Sequence, residues 1–447
     1  MPLGRVSSAL GETLAGAMPS RQPTLVRHNY ERELWSVGLL GCATACVEGG
    51  VVGVIAHKAF DASDLDVAII TAAPAVSNLT AVLWTRLIHG RDRVRAVNVF
   101  QIAVLVCVAV MGCGALVPRE IGLWLLVCGC VLARCFLTGM IAARTDLWRG
   151  NYPRERRART IGHVTLLASL VVGLTAVATG WAMDATPMGF AWVYGFSVVM
   201  GALGVRVFAR IRWRGRGVQL AEERRGVREE KGAPPSLAAM TEVLKNDPMY
   251  RRFMAAQFML GMPQLAAIPV FIIAIKDYFD LAYTGSMLLT QALPVIVPVL
   301  VIPLWAPLLD RLHIVKFRAW HSWVFVLANL LMFLAFWLKN EPLLYLSRVM
   351  LGIATGGGML AWELGHHDFA RRDQAAIYMG VHVFLTGVRG VFSPFLGTML
   401  YAGGAVVLGA TTLSVPALGA WTFLVLAAMS AMAGLMFISM ARAMRRS

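Results

Sequence analysis

Long apolar stretches, separated by short polar segments, follow one another along almost the whole chain. Each is close to the roughly 20 residues that a helix needs to cross a bilayer. Helices are the expected form, because lipid cannot satisfy free backbone groups and the alternating pattern of a barrel strand is absent. The pattern therefore predicts an all-α integral membrane protein with twelve transmembrane helices, at 35–57, 66–88, 96–117, 121–143, 160–183, 187–209, 252–275, 284–308, 318–338, 342–363, 375–400 and 417–440.

Composition agrees with this pattern, since 58% of the 447 residues are hydrophobic and only 15% are charged. The net charge of +16 could suggest a nucleic-acid partner. However, Lys and Arg concentrate in alternate loops, and the other loops carry only Lys58, Arg119, Lys276 and Lys339. This distribution is the positive-inside bias of membrane proteins. We therefore expect a multi-pass protein of the plasma (bacterial inner) membrane with both termini cytoplasmic, and no nucleic-acid partner.

The loops divide the chain into four predicted segments. Residues 1–34 form a cytoplasmic tail without the apolar run of a signal peptide. Two six-helix bundles follow, at 35–209 and 252–447, the second with a short cytoplasmic tail. The cytoplasmic linker 210–251 has nearly balanced charge and is expected to contain a short interfacial helix capped by Ser236.

The two predicted bundles repeat one another in sequence. Trp84 and Trp305 occupy matching places after the second and eighth spans, at an offset of 221 residues. Arg134 and Arg348 match within the fourth and tenth spans, at an offset of 214. Registers that agree within a few residues indicate two parallel six-helix repeats, which is a known transporter architecture.

Two motifs of the second half carry a family resemblance. Asp310-Arg311, followed by Lys316 and Arg318, is similar to the loop signature of the major facilitator superfamily. In the tenth span, Arg348 is followed by glycines four and eight positions later, as in that family. The chain therefore resembles a major facilitator superfamily transporter over nearly its whole length. In the first half the signature is eroded, since a histidine stands at the position of its aspartate.

The resemblance implies a secondary active transporter that moves a small organic solute by alternating access, with the solute bound near the midplane. No phosphate-binding loop of an ATP-driven pump is present in the sequence, so an ion gradient is the expected energy source, and we expect the ion to be the proton. The expected partners are the small-molecule substrate, the proton and the lipid bilayer. We expect a monomer without a cofactor. No metal is expected either, because His366-His367-Asp368 lacks a further ligand at suitable spacing.

Charged and polar residues within the spans are the candidate binding groups, because such residues are costly in a bilayer and usually face a cavity or a partner. Glu48 is the candidate proton site, since a carboxyl group in a low dielectric can load and release a proton near neutral pH. The alternative is a structural ion pair with an arginine. Arg134, Arg348 and Arg389 are the candidate anion ligands, with Gln264 beside them. Their alternative role is hydrogen bonding between helices.

Asp310 and Arg311 are the candidate gating pair, whose alternative is a solvated loop pair of little energetic weight. Three span arginines against one deep acid favour an anionic substrate weakly. A proton-linked exporter of lipophilic compounds, in which Glu48 dominates, remains open. So does a non-transporting membrane sensor or scaffold on a transporter fold. An intramembrane enzyme is disfavoured, because the sequence contains no protease or metal-hydrolase motif.

Overall fold

The structure, a computed structural model, describes residues 18–225, 237–279, 281–370, 374–408 and 411–444. Within these ranges the chain is almost entirely helical, with one antiparallel hairpin of strands β1 and β2. The elements are α1 Thr24–Ala45, α2 Gly49–Ala59, α3 Asp64–Leu79, α4 Ala81–Ile88, α5 Arg93–Cys113, α6 Arg119–Asn151, α7 Arg154–Ala185, α8 Phe190–Phe208, α9 Arg216–Arg224, α10 Leu237–Asn246, α11 Pro248–Tyr278, α12 Tyr283–Met287, α13 Leu293–Arg311, α14 Ile314–Trp337, α15 Glu341–Leu364, α16 Ala375–Ala402, β1 Gly404–Leu408, β2 Thr411–Val415 and α17 Trp421–Ala443.

The predicted all-α membrane fold is confirmed. In the described residues, 11 helical segments are long and apolar enough to cross a membrane. The predicted second span, 66–88, is also helical, but it breaks at Thr80 into α3 and α4, each too short to count alone. The Thr80 hydroxyl donates to the Ser77 carbonyl at 2.6 Å, a side-chain bond of the kind that bends helices. The twelve-helix count is therefore consistent with the structure.

The chain divides into two compact units. The first comprises Met1–Val52 and Ser77–Ala233, and the second comprises Gly53–Val76 and Pro234–Ser447, insofar as these ranges are described. In the first unit α1 packs against α7 and α8, and α5 packs against α6 and α8. In the second unit α14 packs against α15 and α17, while α11 packs against α16 and α17. Each unit thus has a helical core of its own.

A buried carboxylate joins α1 to α6 in the first unit. Glu33 is 3% exposed and accepts hydrogen bonds from Arg144 at 2.8 Å and from the Trp148 indole at 2.5 Å. The Tyr152 hydroxyl donates to its second oxygen. A buried charge is tolerated only when it is paired and hydrogen-bonded, and Glu33 meets both conditions. Its removal would leave Arg144 without its counter-ion.

Small residues bring helices close together in the second unit. A Cβ atom on Gly352 would lie 2.6 Å from Val297 Cβ, and one on Gly356 would lie 2.7 Å from the Pro298 carbonyl oxygen. Both glycines are on α15 and both neighbours are on α13. Side chains at these positions would force α13 and α15 apart, as at other close crossings of membrane helices.

The predicted linker contains two helices in its described part. In the first unit, α9 lies against the turn that precedes α5, because Glu223 accepts a hydrogen bond from Gly90 N–H at 2.8 Å. In the second unit, α10 packs Met240 and Leu244 against the hydrophobic core. Ser236, the predicted cap of this helix, lies outside the described residues.

Candidate functional site

The first span is broken where its carboxylate lies. Helix α1 ends at Ala45 and α2 begins at Gly49, so Cys46, Val47 and Glu48 connect the two. Two main-chain carbonyls in this break accept hydrogen bonds from side chains of other helices. The Tyr194 hydroxyl donates to the Cys46 carbonyl at 2.7 Å, and Arg134 Nε donates to the Val47 carbonyl at 3.0 Å. In membrane transporters, broken helices of this kind line ion and substrate sites.

Glu48 and Arg134, both predicted from the sequence as site residues, are in direct contact. Glu48 Oε2 lies 2.5 Å from Arg134 Nη2, and their side chains are 27% and 14% exposed. Arg134 therefore uses its planar guanidinium twice, toward a carboxylate and toward the freed carbonyl of Val47. The ion pair that was the alternative role of Glu48 is present. It also places the only acid of this break within reach of an arginine that stays charged.

Arg348, the counterpart of Arg134 in the second half, makes a similar bond without an acid. It is 4% exposed, and its Nε donates to the Leu289 carbonyl at 2.8 Å. Leu289 belongs to a single π-helical turn, Leu288–Ala292, which connects α12 to α13. The guanidinium also lies 3.9 Å from the centre of the Phe271 ring. Arg348 thus ties together α11, α15 and a locally widened helix, a feature often found near functional sites.

The second unit contains a cavity of about 430 Å³. This volume is in the range of small-molecule sites. The lining is largely apolar with a few polar and charged groups from α11, α14, α15 and α16. These residues are Gln257, Leu260, Gly261, Gln264, Leu265, Arg318, Phe325, Thr355, Gly358, Met359, Trp362, Glu363 and Arg389. Of the predicted site residues, the structure places Gln264 and Arg389 in this lining, and Arg348 is not among the lining residues.

Arg389 crosses from α16 to α11 because a glycine leaves room for it. Its Nη1 donates to the Gln257 carbonyl at 2.7 Å. A Cβ atom on Gly261, one turn further along α11, would lie 2.1 Å from Arg389 Cζ. Gly261 is therefore a positioning residue that the sequence reasoning missed. A lone glycine in an apolar span carries no signal of such a role.

Arg318 is a second arginine of the lining, and the sequence analysis placed it in the loop signature, at the first residue of the predicted ninth span. Helix α14 begins at Ile314, so Arg318 lies within the helix, where it is 2% exposed. Its Nη1 contacts His321 Nδ1 at 3.2 Å, and its Nη2 lies 3.4 Å from the Gly358 carbonyl. A helix boundary that starts four residues earlier accounts for the miss. The only available signal was the spacing of Arg318 and His321, which places both on one helix face.

Two further polar side chains of the lining each have a buried oxygen without a hydrogen-bond partner in the described structure. Gln264 donates to the Ser430 hydroxyl at 3.3 Å, but its Oε1 is buried without a hydrogen bond in the described structure. Gln257 Oε1 is in the same condition. Buried polar atoms are usually satisfied, so such atoms around a cavity indicate a place for a ligand or water. Glu363, near the end of α15, supplies the one carboxylate of the lining.

The predicted gating pair lies at the end of α13. Asp310 and Arg311 are both exposed, and within the described residues neither forms an ion pair. The start of the following helix, α14, is instead bound by Asp368. Its carboxylate accepts a hydrogen bond from the Ile314 N–H at 2.6 Å. Residues 371–373, in the adjoining loop, lie outside the described part of the chain. The gating role of the pair remains a prediction.

The corresponding loop of the first unit is held by charges. Arg93 contacts Asp146 at 2.9 Å and Glu223 at 2.7 Å, which joins α5, α6 and α9. Burial alone would raise the pKa of Glu223. The Gly90 N–H bond and the Arg93 guanidinium outweigh burial, and the pKa of this carboxyl is lowered from its ordinary value. Glu223 is thus ionised in the folded protein at neutral pH.

Helical spans with charged groups at a broken helix and around a cavity are typical of membrane transporters. The Major Facilitator Superfamily model matches residues 37–394, most of the chain. The chain therefore belongs to the Major Facilitator Superfamily. The resemblance inferred from its motifs is confirmed, and the protein is a secondary transporter of the membrane, not an enzyme.

Solved transporters share this fold at low sequence identity. A nucleoside transporter, NupG, is 11% identical, with a TM-score of 0.66 over 92% of this chain and 100% of that one. A D-xylose–proton symporter is 12% identical, with a TM-score of 0.67 over 93% and 97% of the two chains. A POT family transporter in complex with a thioalcohol-conjugated peptide is 12% identical, with a TM-score of 0.65 over 93% and 96%. A search of curated protein sequences found no match.

Proposed function

We propose that this protein moves a small organic solute by alternating access, that the movement is coupled to protons, and that an anionic group of the solute is favoured. The single observation that carries the coupling is the Glu48–Arg134 contact of 2.5 Å at the break of the first span. The observation that supports an anionic group is the presence of arginines without acidic partners in the cavity of the second unit.

The coupling follows from the chemistry of the pair. While Glu48 is ionised, Arg134 neutralises it, and neither group has a strong need for another partner. When Glu48 binds a proton, the pair is broken and Arg134 keeps its charge, since a guanidinium does not deprotonate in proteins. A free Arg134 then attracts an anionic group. Proton binding and anion binding therefore favour each other, as thermodynamic linkage requires.

A proton-linked exporter of lipophilic compounds is the second candidate. The observation that favours it is the apolar part of the cavity lining, where Leu260, Phe325, Met359 and Trp362 offer a surface for an apolar or aromatic ligand. In that function Glu48 is the dominant charged group, and the cavity arginines contribute little to binding. The two candidates therefore predict different effects of Arg389→Gln: weaker ligand binding for the anion transporter, and nearly unchanged binding for the exporter.

Transport in proteoliposomes tests the proposal. The full chain is reconstituted, and uptake of labelled succinate, 6-aminohexanoate and tetraphenylphosphonium is followed with and without an imposed pH gradient. We expect gradient-driven accumulation of an anion-bearing solute. Glu48→Gln should abolish accumulation while solute exchange without a gradient persists, because only the proton step is removed. Glu120→Gln, at an exposed carboxylate in the first turn of α6, is the matched control and should behave as wild type.

Accumulation of tetraphenylphosphonium alone, lost in Glu48→Gln and retained in Arg389→Gln, would favour the exporter. Gradient-driven accumulation that is unchanged in Glu48→Gln would contradict the proposed coupling.

A further inference from the structure

The cavity of the second unit is lined by two buried arginines that lack acidic partners. Arg318 is 2% exposed and Arg389 is 7% exposed. Within the described residues, no carboxylate oxygen lies within 4.0 Å of either guanidinium. Each Nε is buried without a hydrogen-bond partner in the same part of the chain. A desolvated charge with unused donors is costly unless something else supplies the opposite charge.

His382 adds to this unsatisfied cluster. Its side chain is fully buried, and both of its ring nitrogens lack a hydrogen-bond partner in the described structure. It interacts electrostatically with both Arg318 and Arg389. Since it offers no negative charge, it cannot compensate them. No described residue places a negative charge in contact with either arginine, and a bound anion would supply one.

Glu363 supplies a negative charge to the lining of the same cavity, yet it pairs with neither arginine. Its carboxylate oxygens lie more than 4.0 Å from both guanidinium groups. One turn and a half of α15 separates it from Gly358, whose carbonyl lies beside Arg318. At 1.5 Å per residue this is about 7.5 Å along the helix axis. The cavity therefore presents opposite charges at two separate places.

We propose that the cavity binds a small amphoteric solute, with its carboxylate between Arg318 and Arg389 and its ammonium group at Glu363. This inference rests on the proposed transport function and specifies its substrate class. An amphoteric solute of this kind supplies a partner to all three charges, whereas a simple anion leaves Glu363 unmatched and a dianion is repelled by it. Gln257 and Gln264 can accept N–H groups of the same ligand through their unpaired Oε1 atoms.

The apolar lining between the charged places accounts for the rest of the ligand. Leu265, Phe325 and Met359 contribute this surface, together with the indole of Trp362. An aromatic face beside a carboxylate also favours an ammonium group, through the ring's negative face. The cavity thus matches a carboxylate and an amine joined by a short apolar chain or by a peptide unit.

Equilibrium binding to the purified full chain in nanodiscs tests this assignment independently of transport. One matched series has six carbons: 6-aminohexanoate, hexanoate, adipate and hexylamine. A second consists of alanyl-alanine, its N-acetyl derivative and its amide. We expect the amphoteric member of at least one series to bind most tightly, with the monoanion next and the cation weakest.

Substitutions separate the contributions of the two charged places. Arg318→Gln should weaken binding of both the amphoteric solute and the monoanion about tenfold, since each loses a charge-assisted hydrogen bond. Arg318→Lys should recover part of this loss. Glu363→Gln should weaken the amphoteric solute by about threefold, because Glu363 is exposed, and should leave the monoanion unchanged. Arg442→Gln and Glu341→Gln, exposed sites outside the lining, are the matched controls.

Each contrary result has a distinct meaning. Tighter binding of an anionic member than of the amphoteric member in both series, or equal loss of the amphoteric solute and the monoanion in Glu363→Gln, would overturn the amphoteric assignment and leave an anion site. Binding that is unchanged in Arg318→Gln, or no binding by any member of either series, would overturn the assignment altogether. Gradient-driven transport of some other solute would show that the proposed function survives such a failure.

Discussion

Arg134, Arg348 and Arg389, three of the arginines inside the spans, each donate to a main-chain carbonyl of another span. Since a guanidinium carries five N–H groups, one such bond leaves donors for a second partner. Arg134 uses a spare donor for Glu48, whereas Arg348 and Arg389 have no acidic partner in the described residues. At the scale of the residue, an arginine can thus join helices and still be ready to bind an anion. The acceptor carbonyls of Arg134, Arg348 and Arg389 are those of Val47, Leu289 and Gln257, respectively.

Gly261→Ala should displace Arg389, because the new Cβ would lie 2.1 Å from its Cζ. We expect binding of the anionic solute to weaken about tenfold, the loss of one charge-assisted hydrogen bond. Isothermal titration of the purified variant measures this. Gly387→Ala, on α16 with open space at its Cβ, is the control and should bind as wild type. Equal affinity in both variants would show that Arg389 does not need this position.

Among the helices, two spans are interrupted where the candidate site arginines Arg134 and Arg348 form their hydrogen bonds. Cys46–Glu48 breaks the first span, and Leu288–Ala292 widens the eighth. The apolar pattern predicted where both spans lie, because burial in lipid depends on side-chain polarity alone. It could not predict the interruptions, which depend on hydrogen bonds from distant helices, such as that from Arg134. Gly49-Gly50 was the only local sign of the first break.

Gly356→Ala should destabilise the second unit, since its Cβ would lie 2.7 Å from the Pro298 carbonyl on the facing helix. Overpacking of this kind costs about 1–3 kcal/mol. Thermal unfolding in detergent should show a lowered midpoint. Gly358→Ala is the control two residues away, where the nearest atom, Phe325 Cζ, would lie at an ordinary 3.4 Å. A midpoint lowered equally in both variants would contradict close packing of α13 and α15.

Glu223 makes the first unit sensitive to acid. Because its pKa is lowered in the folded state, its stabilising contribution is complete above its ordinary pKa and is lost as the pH falls through the folded value. Glu223→Gln should therefore lower the midpoint of thermal unfolding at pH 7, and the difference from wild type should shrink below about pH 4.5. Glu222→Gln, its exposed neighbour, is the control. A difference that does not change with pH would show that Arg93 and Gly90 do not hold this carboxylate.

At the scale of the whole molecule, the sequence predicted the fold more completely than the site. The apolar spans were sufficient for the twelve helices, and the repeat of the two halves together with the motifs at Asp310-Arg311 and Arg348 was sufficient for the family. The position of its charge inside a span suggested Arg348 as a ligand, but its guanidinium packs on Phe271, and it is not among the cavity lining residues. Arg318 was missed because a polar residue at a helix end has the same local pattern whether it faces solvent or a cavity.

The proposed coupling between proton and solute is a property of the transporter as a whole, and substrate-induced proton movement is its most direct test. The solute that accumulates in the uptake experiments is added to proteoliposomes that contain a pH-sensitive dye, without an imposed pH gradient. We expect a change in internal pH with wild-type protein and none with Glu48→Gln, although the solute still exchanges in that variant. A pH change of equal size in Glu48→Gln, or none in wild type during net solute flux, would contradict the proposed coupling.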